Sequence, residues 1–175
     1  MNMKDRRTIL HRLVRIQRLV EEGAAWALRH NRWETAATGR WSGSQRLLHV
    51  VLTLEHCADH FEQSPANSAA RAPIIGPMQW LRRSSVFTLM RLPKAARVPD
   101  ALWPSSSVPI QSDDVTRRAK AAVLRLATLA EDRWNLPRDV LWAEHRDLGP
   151  LSFEEWVQFL FVTAIHHDDR LHRGR

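Results

Sequence analysis

The sequence predicts an all-α fold, an up-down-down-up four-helix bundle with one long crossover between the second and third helices. Three observations predict it. Apolar residues recur with a period near 3.6 in four long stretches. Two of those stretches open on reciprocal capping signatures. No stretch makes a convincing strand, and the interval 64–111 is too long for a tight turn, which lets the second and third helices run parallel.

The first helix, from about Asp5 to His30, sets Ile9, Leu13, Ile16 and Val20 at i, i+4, i+7 and i+11. Leu10 and Val14 lie beside that stripe and arginines lie opposite. Gly23 is a weak point inside it, at roughly 1 kcal/mol relative to alanine. Residues 31–41 make a connection in which Gly39 suits a turn. Ser42 and Gln45 then form a capping box, with Trp41 ahead of it, and start a helix that runs to about Phe61. Its stripe is Leu47, Val50, Val51, Leu54, Ala58 and Phe61, widened by Leu48 and Leu52. His49, Thr53, His56 and His60 share the other side, either in solvent or facing a polar cavity roofed by another segment.

Residues 64–111 form the crossover. Gly76-Pro77 starts a short helix through Trp80, Leu81, Phe87 and Met90, ending before Pro93, and Trp80, Phe87 and Trp103 pack the segment down. A long helix follows Ser112, with Asp113 and Asp114 in the first turn where acids suit the helix dipole. Val115, Ala119, Ala122, Leu126 and Leu129 make its buried side, and it stops near Trp134, before Pro137. Residues 135–150 return the chain to the last helix. There Ser152 and Glu155 form a second capping box, and Leu151 and Trp156 a hydrophobic staple. At about 100° per residue, Phe153, Trp156, Val157, Leu160, Ala164, His167 and Leu171 share one stripe, with Thr163 a turn before His167 and His166 pointing away.

One domain of 175 residues is long enough to bury a core. No apolar run approaches the roughly 20 residues of a membrane span, and the N-terminus lacks a secretory h-region, so a cytoplasmic protein is expected. Cys57 is the one cysteine, which excludes an intrachain disulfide and a thiolate zinc cluster. The net charge of +7 is concentrated in residues 1–32 and 64–111. The basic residues of the first helix are spread around its polar surface and no nucleic-acid motif is present, so a solvated basic face is expected over nucleic-acid binding. No Gly-rich phosphate loop, HExxH or GxSxG motif is present. Cys57 lies on an apolar face as a core residue, Asp168 and Asp169 as solvated acids, and Glu154 and Glu155 as helix-start acids.

Helix arithmetic singles out two imidazoles. His49 lies about 10 Å beyond its cap and His167 about 22 Å beyond its own, on a helix of about 30 Å. With those helices antiparallel, both rings reach one height near one end of the bundle. Two neutral imidazoles there can ligate a divalent metal, or can be core residues hydrogen-bonded to neighbours.

Trp41-Ser42-x-x-Gln45-x-x-x-His49, a long crossover, and Gly149-Pro150-Leu151-Ser152-x-Glu154-Glu155-Trp156 leading into a His-rich terminal helix resemble the DinB-like (YfiT-like) helical-bundle superfamily, in particular a bacterial branch of short proteins. The resemblance implies an up-down-down-up bundle with a divalent-metal site of three histidines, one on the second helix and a His-x-x-x-His pair on the last. Some members are metal-dependent enzymes acting on low-molecular-weight thiols, such as S-transferases. His49 matches the first ligand and His167 the second of the pair, but Thr163 stands at the third position. His166 and His56 are the candidate stand-ins, and His145 matches a histidine frequent in this branch. The resemblance thus implies one ion of zinc, nickel or iron, held weakly or not at all. Two functions follow from it: a metal-lost small-molecule-binding protein, which Thr163 favours, or a metal-dependent thiol enzyme. Association of two copies through the crossover stays open.

Overall fold

The computed structural model describes residues 3–36, 41–63, 76–92, 98–104, 109–132 and 141–173. They are mostly helical, in the order α1 (Met3–Arg29), α2 (Gly43–Gln63), α3 (Pro77–Phe87), a 3-10 turn (Asp100–Leu102), α4 (Ser112–Asp132), β1 (Leu141–His145), β2 (Gly149–Ser152) and α5 (Phe153–Arg173). The expected turn at Gly39, the stop near Trp134 and Pro137, and Pro93 lie outside the described residues. No helix among the described residues is long and apolar enough to cross a membrane.

The apolar stripes read from the sequence make the core. Ile9, Leu13, Ile16 and Val20 of α1 are buried, as are Leu47, Val50, Val51 and Leu54 of α2. Val115, Ala119, Ala122 and Leu126 of α4 and Val157, Leu160 and Ala164 of α5 complete the cluster. Helix α1 packs on α2, α4 and α5, and α2 packs on α4 and α5. Ion pairs line the outside of these seams. Arg118 bridges to Glu55 at 2.6 Å, Arg125 to Asp59 at 2.5 Å and Glu62 at 2.6 Å, and Arg6 to Glu131.

Both capping boxes form. The Ser42 amide donates to Gln45 Oε1 at 2.9 Å and the Gln45 amide to Ser42 Oγ at 3.2 Å. On α5 the Ser152 amide donates to Glu155 Oε2 at 2.9 Å and the Glu155 amide to Ser152 Oγ at 3.2 Å. Helix α1 ends on Asn31 at φ 53°, with the Arg32 amide donating to Ala27 O at 2.8 Å and the Asn31 amide to Leu28 O at 3.3 Å. That is a Schellman closure on an asparagine, the residue type that after glycine best tolerates the left-handed region. The start of α2 is tied to this end of α1, its Gly43 amide donating to Arg32 O at 3.0 Å.

Three expectations need correction. The segment 141–152 is not a plain connection but an antiparallel hairpin, pairing Ala143 with Leu151, Glu144 with Pro150 and His145 with Gly149. Gly-Pro reads as a strand breaker, yet proline is tolerated on an edge, and both strands of a two-stranded sheet are edges. Gly149, at φ +73°, closes the turn where a side chain would be strained. Second, α3 stops at Phe87, and Met90 sits at φ 53° instead of extending the helix. Third, Trp80 does not pack the crossover down, being 64% exposed, and Trp103, at 56% exposed, packs only one edge, against Trp41. Helix α3 turns Val86 inward and is held by polar contacts instead. Arg83 donates to Pro150 O at 2.9 Å and pairs with Glu155, Arg82 pairs with Asp147 at 2.8 Å, and Gln158 donates to Phe87 O at 3.0 Å.

Candidate functional site

Seven residues beyond the Ser42 cap, α2 carries His49 inward, and fifteen beyond the Ser152 cap, α5 carries His167 inward. Their ring centroids lie 4.9 Å apart at 70°, and the residues are 6% and 7% exposed. Trp41 covers the pair, 5.0 Å from His49 and stacked at 5.7 Å on His167, and Trp103 meets Trp41 edge-on at 5.0 Å. The pair borders a cavity of about 420 Å³ whose wall also includes Leu102, Leu148, Trp156, Phe159 and Thr163.

Hydrogen bonds fix two tautomers in opposite senses. His49 Nδ1 lies 2.9 Å from Leu102 O. A carbonyl only accepts, so His49 carries its proton on Nδ1 and keeps the Nε2 lone pair. His145 Nδ1 accepts from the amides of Asp147 at 3.1 Å and Leu148 at 3.3 Å, which puts its proton on Nε2. His145 thereby closes the hairpin turn while its ring faces the cavity, packed 4.6 Å from Phe159. Burial, opposed by the Leu102 carbonyl, pushes the His49 pKa below its ordinary value. Burial pushes His167 well below, helped by the neighbouring His49 and His166 and by Arg46 and Arg170. His145 and His166 shift the same way, again through burial first. The cavity therefore presents neutral imidazoles at neutral pH.

Other sequence candidates fall as follows. Thr163 is buried beside His167, but its hydroxyl donates to Phe159 O at 2.9 Å. Thr53 likewise donates to His49 O at 2.7 Å. His166 does not point away: it is half-buried, lines the cavity and meets the His167 ring at 5.2 Å. Helix α3 packs on the flank of α5, and the hairpin borders the same cavity, so the inward face of α5 is wider than its apolar stripe. His56 borders the cavity but is exposed, and His60 is exposed. Cys57 is buried and its thiol pKa is driven far up by burial, so it is a core thiol and not a nucleophile. Asp168 is half-buried, its pKa raised by burial, and sits 3.3 Å from His172 instead of standing in solvent.

The donor set differs from the three-histidine site implied by the resemblance. Two imidazoles converge, the third position offers a neutral hydroxyl already used on a backbone carbonyl, and His167 Nδ1 is buried with no hydrogen-bond partner among the described residues. Among the described residues, no group of three or more His, Cys, Asp or Glu side chains is arranged to hold a metal ion. Divalent zinc wants at least three protein ligands, so these residues do not fit one. Leu102, Arg83 and the double use of Glu155 were not found from the sequence. Leu102 meets His49 through its backbone carbonyl, which no residue pattern signals. No family model matches the chain, and no curated protein or solved structure matches it.

Proposed function

We propose that the chain is a DinB-like, up-down-down-up four-helix bundle with a degenerate divalent-metal site, and that its cavity binds a small molecule. The architecture is supported by residue pairs. Glu55 with Arg118, and Glu62 with Arg125, advance together along α2 and α4, as parallel helices require. His49 with His167, and Phe61 with Phe153 at 5.3 Å, advance oppositely along α2 and α5. Arg6 with Glu131 joins the start of α1 to the end of α4.

One observation carries the functional reading: two buried, neutral imidazoles meet against a 420 Å³ cavity with apolar walls. Small-molecule sites have this form, an apolar concavity of about 300–1,000 Å³ with a few converging polar groups. His49 Nε2 supplies an acceptor and His145 Nε2 a donor, so a ligand could be oriented without any metal.

The test is elemental analysis of untagged protein, together with tryptophan-fluorescence titration by small neutral aromatic alcohols. The expected result is substoichiometric metal and a saturable fluorescence change. Stoichiometric metal lost in both His49→Ala and His167→Ala would overturn the degenerate site. It would favour the second reading, a metal-dependent enzyme acting on a low-molecular-weight thiol, with His166 completing the ligand set. An unsaturable fluorescence response would remove the binding role.

A further inference from the structure

The chemical class of the ligand can be read from the cavity wall along α5, given the small-molecule reading above. Trp156, Phe159, Thr163, His166, His167 and Arg170 all border it. These positions follow helical spacing on one broad face and span about 20 Å of axis. The character changes along that face, from aromatic near the start of α5 to imidazole and then guanidinium near its end. Val86 and Leu92 extend the apolar part from α3 and the segment after it.

Charge is as unequal as polarity. Two arginines border the cavity, Arg146 and Arg170, and neither forms an ion pair with a described residue. Among the described residues, the one carboxylate on the wall, Asp147, is held by Arg82 at 2.8 Å. Arg46, near the start of α2, adds to the positive field at His166 and His167, and Asp169 is the one acid acting on His166. The ring nitrogens of His166 accept and donate to nothing among the described residues. A cation would meet arginines at this end, and a wholly apolar ligand would leave a guanidinium and an imidazole unused. An anion matches both.

We infer that the ligand is an amphipathic monocarboxylate, its carboxylate paired with Arg170 beside His166 and its apolar body lying along Phe159 and Trp156. The cavity volume of 420 Å³ equals that of about fourteen liquid water molecules at roughly 30 Å³ each. That is room enough for an arylalkanoate. Guanidinium is suited to the head group because its planar fork matches a carboxylate.

Isothermal titration of the untagged full chain with 4-phenylbutyrate and with 4-phenylbutanol tests this, since the two share a body and differ in charge. The acid is expected to bind up to about fivefold more tightly than the alcohol, as a pair with the exposed Arg170 guanidinium would give. Arg170→Gln should bring the acid down to the level of the alcohol. Arg117→Gln, an equal charge change on the exposed side of α4, should leave both affinities unchanged, which separates a local pair from the general positive charge. Equal binding of acid and alcohol, or an acid affinity untouched by Arg170→Gln, overturns the carboxylate assignment while the small-molecule cavity stands. If neither compound binds, both readings fall.

Discussion

Stability should decline on mild acidification, with His167 a main cause. Its folded pKa is depressed by burial and by neighbouring positive groups. A group of that kind binds protons in the unfolded chain at pH values where the folded chain refuses them. Stability is therefore full above the unfolded pKa, near 6.5, and is lost as pH falls below it. Between pH 7.5 and 5.5 a histidine that stays neutral when folded removes about 1.4 kcal/mol. His49, His145 and His166 act in the same direction with less complete burial, so they add to that loss. Glu62 is shifted down, so its stabilisation is lost only at still lower pH, and Asp168 is shifted up, so its protonation favours the fold as the pH falls and opposes the histidine loss.

The assay is urea denaturation at the two pH values, in chelator, for the wild type and His167→Gln. The variant lacks the titrating ring, so its loss between the two pH values should be smaller by about 1 kcal/mol, whatever its stability at either pH. Equal losses in the two proteins would refute the reasoning, because a His167 that titrates normally when folded contributes no pH dependence.

Two further outcomes follow from the helix starts and the hairpin. Ser42→Ala and Ser152→Ala each remove a side-chain acceptor from a formed capping box and should lower stability by about 1 kcal/mol in urea titrations. Arg83→Met leaves the Pro150 carbonyl and Glu155 without their guanidinium partner, so amide exchange in residues 145–151 should quicken while that of α1 stays slow.

How much of this was legible depends on how local each signal is. Ser42 with Gln45 and Ser152 with Glu155 are satisfied within one turn, so the sequence alone placed both helix starts, and the heights of His49 and His167 followed from them. The hairpin was hidden because its strands are short and one holds Gly149-Pro150, whose breaker character is harmless at an edge. His166 was misplaced because helix periodicity describes one face, whereas α3 and the hairpin give α5 a second covered flank. The exposed Trp80 shows the converse: its residue type suggested burial, but Arg82 and Arg83 hold α3 in place.

Two glycines that look alike in sequence should respond oppositely to the same methyl group. A Cβ at Gly43 would lie 2.7 Å from the backbone carbonyl of Arg32, 3.0 Å from Leu171 Cδ1 and 3.1 Å from Ala27 Cβ. Two of those atoms are a main-chain oxygen and a Cβ, which move only with their helix, and Gly43 also donates to that same carbonyl. Gly43→Ala must therefore push the end of α1 away from the start of α2, at about 1–3 kcal/mol. A Cβ at Gly23 would meet the tips of Leu47 and Leu171 at 3.2 and 3.3 Å, which can shift by rotation. There the strain is offset by the roughly 1 kcal/mol that alanine gains over glycine inside a helix, so Gly23→Ala should leave stability close to unchanged. Urea denaturation of the two variants side by side decides it. A Gly43→Ala protein as stable as Gly23→Ala would mean that the junction of α1, α2 and α5 is looser than its distances state. The height at which α2 presents His49 to His167 would then be set elsewhere, because that junction lies at the same end of the molecule as the imidazole pair.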